Sequence, residues 1–120
     1  MDKHAISFKM AFSGIRYVLG TQPNMRIHGG ITLFVILGGL SFHLSSIEWV
    51  AVALAIAAVF SAEMINTAIE SMTDLITTEY HSQAKVAKDV SAGMVLVVAL
   101  AAAAIGILVF GPKILSLLKN

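Results

Sequence analysis

The stretch FSAEMINTAIESMTDLITTEYHSQAKVAKD, Phe60 to Asp89, decides how the remainder of the chain is read. It sets carboxylates at Glu63, Glu70 and Asp74 directly after one apolar run, Trp49 to Phe60, and ahead of another, Val90 to Phe110, that carries no charge. On a helix, Glu63, Asn66, Glu70 and Asp74 recur at i, i+3, i+7 and i+11, which confines them to roughly 80° of arc. An ionised carboxylate at membrane depth costs about 2.5–3.5 kcal/mol on insertion scales, so the stripe should face partners, a metal or a water-filled cleft and not lipid. For Asp74, nearest the end, solvation among headgroups is an equally good account. For Glu63, flanked by Met64 and Ile65, it is a poor one. Asn66 offers both a donor and an acceptor to fix geometry between its acidic neighbours, with an ordinary interhelical hydrogen bond as the plainer alternative.

Composition places this stripe at a membrane edge. The 120 residues are 58% hydrophobic and 12% charged, with a mean hydropathy of +0.86, which identifies a single all-α integral membrane domain over residues 1–120. A net charge of +1 with scattered lysines and arginines excludes nucleic acid as a partner. Without cysteine there are no disulfides or thiolate sites, and histidines at 4, 28, 43 and 81 have no zinc-binding spacing. GILVFGPK, Gly106 to Lys113, lacks the ending of a phosphate loop, and neither a dinucleotide fingerprint nor a kinase catalytic loop is present. Any nucleotide chemistry must therefore use a membrane scaffold.

Residues 5–19 read as an amphipathic surface helix, with Ile6, Met10, Ile15 and Val18 on one side and Lys9, Ser13 and Arg16 elsewhere. Met1 to Thr21 lacks the continuous apolar centre of a signal peptide and is expected to be retained. Gly20 to Pro23 break this helix, and Pro23 suits the first turn of the next. Three transmembrane helices follow, at 27–44, 47–70 and 90–110. Gly29, Gly30, Gly38 and Gly39 should let the first pack closely. A short Ser45–Ser46 turn makes a hairpin of the first two, with Trp49 anchored at the interface. Ser82 is expected to cap the last helix and Pro112 to stop it. Lys3, Lys9, Arg16, Arg26, Lys85 and Lys88 outweigh Lys113 and Lys119, which puts the leader and the loop between the second and third spans inside and the C-terminus outside.

The core EMINTAIE (Glu63 to Glu70), with FSGIRY (Phe12 to Tyr17), NMRIH (Asn24 to His28), EYH (Glu79 to His81) and AKD (Ala87 to Asp89), resembles the prokaryotic diacylglycerol kinase family of small integral-membrane lipid kinases, over nearly the whole chain. MRIH and the C-terminal FGPK are similar to the branch that often prefers undecaprenol. The resemblance implies a homotrimer in a bacterial plasma membrane, with shared active sites on the cytoplasmic face, that uses ATP and Mg²⁺ to phosphorylate the primary hydroxyl of undecaprenol or diacylglycerol. It implies Glu63 as the catalytic carboxylate beside Asn66, Glu70 as a metal ligand, and Glu79, Tyr80, His81, Lys88 and Asp89 as nucleotide contacts. Gln22 stands where the family commonly has a metal-sharing glutamate. Its amide oxygen can still ligate Mg²⁺ with one less negative charge. Met10 stands where an aromatic is common, and Arg16 and Arg26 are assigned to the lipid.

The residues alone leave a second class open, a small oligomeric transporter or channel whose stripe lines a cation path. Ionisable residues clustered at one edge argue against it. A catalytically weakened scaffold is a third reading, prompted by Gln22.

Overall fold

The computed structural model describes residues 7–120, and these form four helices joined by short turns. Helix α1 spans Phe8–Thr21, α2 Pro23–Ser41, α3 Ser46–Ile76 and α4 Ser82–Leu118. The expected start of the surface helix at residue 5 lies outside the described residues, as does Ile6.

Helix α1 begins at Ser7, whose hydroxyl accepts from the Met10 amide. It buries Val18 and leaves Phe8, Met10, Phe12 and Tyr17 exposed, an apolar surface suited to the bilayer boundary. Gly20 and Thr21 stay helical, so the break is confined to Gln22, in extended conformation, with Pro23 in the first turn of α2. Pro23 has no N–H to leave unpaired there.

Helix α2 ends three residues before the expected limit, at Ser41. His43 adopts φ 52°, the Leu44 amide donates to Gly39 O at 3.1 Å and the His43 amide to Leu40 O. This is a Schellman stop, with histidine in the left-handed position usually given to glycine. The turn therefore runs from Phe42 to Ser45, not through Ser45 and Ser46. Leu44 is folded back into the core. Ser45 and Glu48 form a reciprocal capping box at the start of α3.

Of the four glycines in α2, Gly39 shows the requirement for close approach. A Cβ there would lie 2.6 Å from the Trp49 ring, so the indole packs on bare backbone. The core sits at this turn end: Leu44, Val52 and Val109, flanked by Val35, Phe42, Trp49, Ile56, Ile105 and Phe110. Phe42 and Phe110 meet edge-to-face at 6.1 Å between ring centres.

Helices α3, with 31 residues, and α4, with 37, are each long and apolar enough to cross a membrane. At 1.5 Å per residue they rise about 46 and 55 Å, against about 30 Å of hydrocarbon. The overshoot carries their polar ends beyond the apolar layer. His81, not Ser82, is the N-cap of α4, its Nδ1 accepting from the Gln83 amide. Pro112 lies inside α4 and does not end it. The preceding Gly111 has no Cβ to meet the proline ring, which removes part of the clash that normally disfavours helix before proline. Lys113 Nζ lies 3.2 Å from Glu48 Oε1, so one of the two lysines that run against the charge asymmetry is paired at the turn end.

Candidate active site

Glu63 lies about 26 Å along α3 from Ser46 at 1.5 Å per residue, near the far boundary of an apolar layer that starts at the turn. It is 2% exposed. A buried carboxylate needs polar company, and α2 supplies it: His28 Nε2 stands 3.3 Å from Glu63 Oε1. Thr67 donates to the Glu63 carbonyl one turn on and is likewise buried.

One turn further, the Ser91 hydroxyl of α4 donates to Asn66 Oδ1 at 2.7 Å, and Asn66 Nδ2 faces Glu70 Oε1 at 3.4 Å. The serine's single proton is shared with the Lys88 carbonyl at 3.0 Å. The contact with Ser91 sets the amide's orientation, oxygen toward α4 and nitrogen toward Glu70. The interhelical hydrogen bond expected as the plainer account of Asn66 is present, and the same amide also reaches Glu70.

The five residues expected at the nucleotide come together. Glu79, Tyr80, His81, Lys88 and Asp89 line a cleft of about 350 Å³ at the α3–α4 loop, with Asp74 and Lys85. Lys88 Nζ is 2.6 Å from Asp74 Oδ1, and Lys85 pairs with Asp89 one turn along α4. The cleft thus holds two lysines, each paired with a carboxylate, beside the exposed Tyr80 ring.

The remaining expected residues are spread around this edge. Arg26 donates through Nε to Leu19 O and through Nη2 to Gly20 O. It caps the carbonyl end of α1 and clasps the α1–α2 corner. Arg16 is exposed on α1. Gln22 forms the hinge, its side chain making no cap bond, and Glu70's side-chain bond is to Asn66 and not to Gln22. Among the described residues no three His, Asp or Glu side chains converge on a metal position. Mg²⁺ characteristically takes one or two protein carboxylates and completes its shell with substrate phosphates and water. The half-buried Glu70 carboxylate fits that donor set for a metal that arrives with the nucleotide.

Two residues of this edge carry no site signal in the sequence: His28 stands out only within NMRIH and as one of four histidines without zinc-binding spacing, and Ser91 in no motif. Each acts across helices, and periodicity along one helix carries no signal for such a partner. A narrow apolar slot of about 90 Å³ opens below His28 between α2, α3 and α4, with Val59, Val52 and Ala102 among its walls.

Residues 9–110 match the model of the family described as prokaryotic diacylglycerol kinase. The chain is 43% identical over 108 residues to the undecaprenol kinase of Bacillus subtilis, covering 90% of this chain and 88% of that protein. It is 40% identical over 114 residues to a diacylglycerol kinase of Synechocystis sp., covering 94% of this chain and 65% of the relative.

Proposed function

The chain belongs to the prokaryotic diacylglycerol kinase family, and on that premise we propose that it transfers the γ-phosphoryl group of ATP, with Mg²⁺, to the primary hydroxyl of a membrane lipid alcohol, undecaprenol in preference to diacylglycerol. The observation that carries this reading is Glu63, a carboxylate buried at the edge of the apolar layer and within one helix face of the loop cleft. A lipid hydroxyl is held at that depth, whereas a soluble acceptor would find Glu63 half hidden by the bilayer. The transporter reading of the same stripe gives way to the family relationship.

Positioning does most of the work in phosphoryl transfer. Glu63 orients the lipid hydroxyl and accepts its proton as the new O–P bond forms. Asn66, pinned by Ser91, fixes Glu70 where it would hold Mg²⁺ with Gln22, and the metal would supply charge neutralisation on the phosphate oxygens. Lys88 adds a point charge from the cleft, and Glu79, Tyr80, His81 and Asp89 hold the rest of the nucleotide. Arg16, exposed on α1, would contact the lipid headgroup, and Arg26 would do so with the donors left beyond its two bonds to the α1 carbonyls.

The preference for undecaprenol rests on the relative of that name and on the slot below His28, whose polar lining is confined to His28 and Thr32. A polyprenol has no polar group beside its hydroxyl, while a diacylglycerol brings two ester groups, for which this wall offers few donors. In the membrane, α2, α3 and α4 form three spans with the cleft on the cytoplasmic side and the C-terminus outside. The exposed apolar faces of α1 and α4 fit assembly as a homotrimer with active sites shared between neighbours.

The test is transfer of labelled γ-phosphate from ATP to undecaprenol and, separately, to diacylglycerol in mixed micelles. A faster Glu63-dependent reaction with undecaprenol is expected. Product only with diacylglycerol would reverse the preference, and none with either would overturn the reading.

A further inference from the structure

We infer that His28 is the positioning residue for the catalytic carboxylate, holding Glu63 by a hydrogen bond across the α2–α3 interface at the mouth of the apolar slot. The inference rests on the role proposed for Glu63. Among the described residues His28 Nε2 is the side-chain group placed at hydrogen-bonding distance from that carboxylate, 3.3 Å from Oε1, and the ring is itself only about a fifth exposed. His28 also lines the slot that runs down between α2, α3 and α4. One ring therefore touches both the carboxylate and the space from which a lipid alcohol would present its hydroxyl.

The consequence is geometric. A glutamate has three side-chain torsions, and a carboxylate free to rotate spends little of its time in one reactive orientation. A donor on Oε1 leaves Oε2 as the oxygen that accepts the hydroxyl proton. The step then balances: the alcohol oxygen forms its bond to the γ-phosphorus, the bond to the β,γ-bridging oxygen breaks with its electron pair leaving on ADP, and the alcohol proton goes to Glu63 Oε2. His28 keeps its own proton throughout and acts through Glu63. Anchoring also works in the other direction, because α2 enters from the Gln22 hinge and the His28–Glu63 contact ties its first turns to α3.

Replacement by leucine removes the donor while keeping an apolar wall for the slot. Replacement by glutamine restores an N–H donor of similar reach. His28→Leu is expected to lower kcat at least tenfold with the KM for ATP within twofold of wild type, and His28→Gln to recover most of the loss. Combined with Glu63→Gln, His28→Leu should cost less than threefold further, because the group it positions is already disabled. A His28→Leu enzyme with wild-type kcat would overturn the inference, as would equal loss in both variants or a change confined to the KM for lipid. Those results leave the lipid-kinase reading standing, since it fails only if the wild-type protein phosphorylates no lipid alcohol.

Discussion

Lys88 Nζ lies 2.6 Å from Asp74 Oδ1, an ion pair that ties the first turns of α4 to the last turns of α3 inside the loop cleft. Both side chains are substantially exposed, and pairs of that kind contribute only about 0–1 kcal/mol. A phosphate, which forms stronger charge-assisted bonds, can draw Lys88 away at little cost. Asp74→Asn should leave thermal stability in detergent within about 1 kcal/mol of wild type and lower the KM for ATP. Lys88→Ala should raise that KM by about 10- to 100-fold, the loss of one bond of roughly 1.5–3 kcal/mol to a charged group. Kinetics over a range of ATP concentrations measure both, and a weaker ATP dependence in Asp74→Asn would make Asp74 a nucleotide contact itself.

Glu63→Gln keeps the shape of the side chain and a carbonyl oxygen opposite His28, so the helix interface should survive. Loss of a general base typically costs on the order of 10²–10⁴ in rate, and kcat should fall by that amount while ATP binding, read by equilibrium dialysis, stays near wild type. Retention of most of the activity would remove Glu63 from the catalytic role.

What the sequence made legible follows from the range over which each signal acts. The stripe from Glu63 to Asp74 was visible because one helix face repeats locally, and the Glu79–Asp89 residues were visible as a motif that the loop then gathers into one cleft. Pro23 at the start of α2 was legible for the same local reason. His43 in a left-handed stop, Pro112 absorbed within α4 and His81 in place of Ser82 as the cap were not. Each depends on backbone conformation that several residue types can adopt. The His28–Glu63 and Ser91–Asn66 bonds join residues far apart in the chain, and only packing brings them together.

Ser91 is 3% exposed and donates to Asn66 Oδ1. Ser91→Ala removes that bond with almost no change in volume. A net hydrogen bond is worth about 1 kcal/mol, so kcat should fall roughly fivefold as the amide loses its fixed orientation. The KM for lipid should hold, because Ser91 does not line the slot. An unchanged kcat would show that Asn66 needs no partner on α4.

Gly39 meets the Trp49 ring where a side chain would stand, with the nearest ring carbon 2.6 Å from an added Cβ and Leu44 at 3.0 Å. The indole belongs to the packed turn-end core and has little room to yield. Gly39→Ala should destabilise the protein by about 1–3 kcal/mol, the usual range for overpacking, as measured by unfolding in mixed detergent micelles. Activity per folded molecule should be retained, since the cleft and Glu63 lie at the opposite end.

Gln22 is the hinge between α1 and α2, and its side chain is free of cap bonds. Under the proposed function its amide oxygen serves a metal held chiefly by Glu70. A carboxylate at the same position adds a full negative charge with nearly the same reach, and Mg²⁺ prefers charged oxygen ligands. Gln22→Glu should therefore lower the Mg²⁺ concentration for half-maximal rate several-fold, by about 1 kcal/mol of added interaction between partly exposed charges. The corner itself should hold, because Arg26 caps the α1 carbonyls independently of residue 22. Titrating Mg²⁺ at fixed ATP separates the outcomes. A shifted midpoint with unchanged maximal rate places residue 22 at the metal, whereas an unmoved midpoint assigns the metal to Glu70 and the phosphates alone.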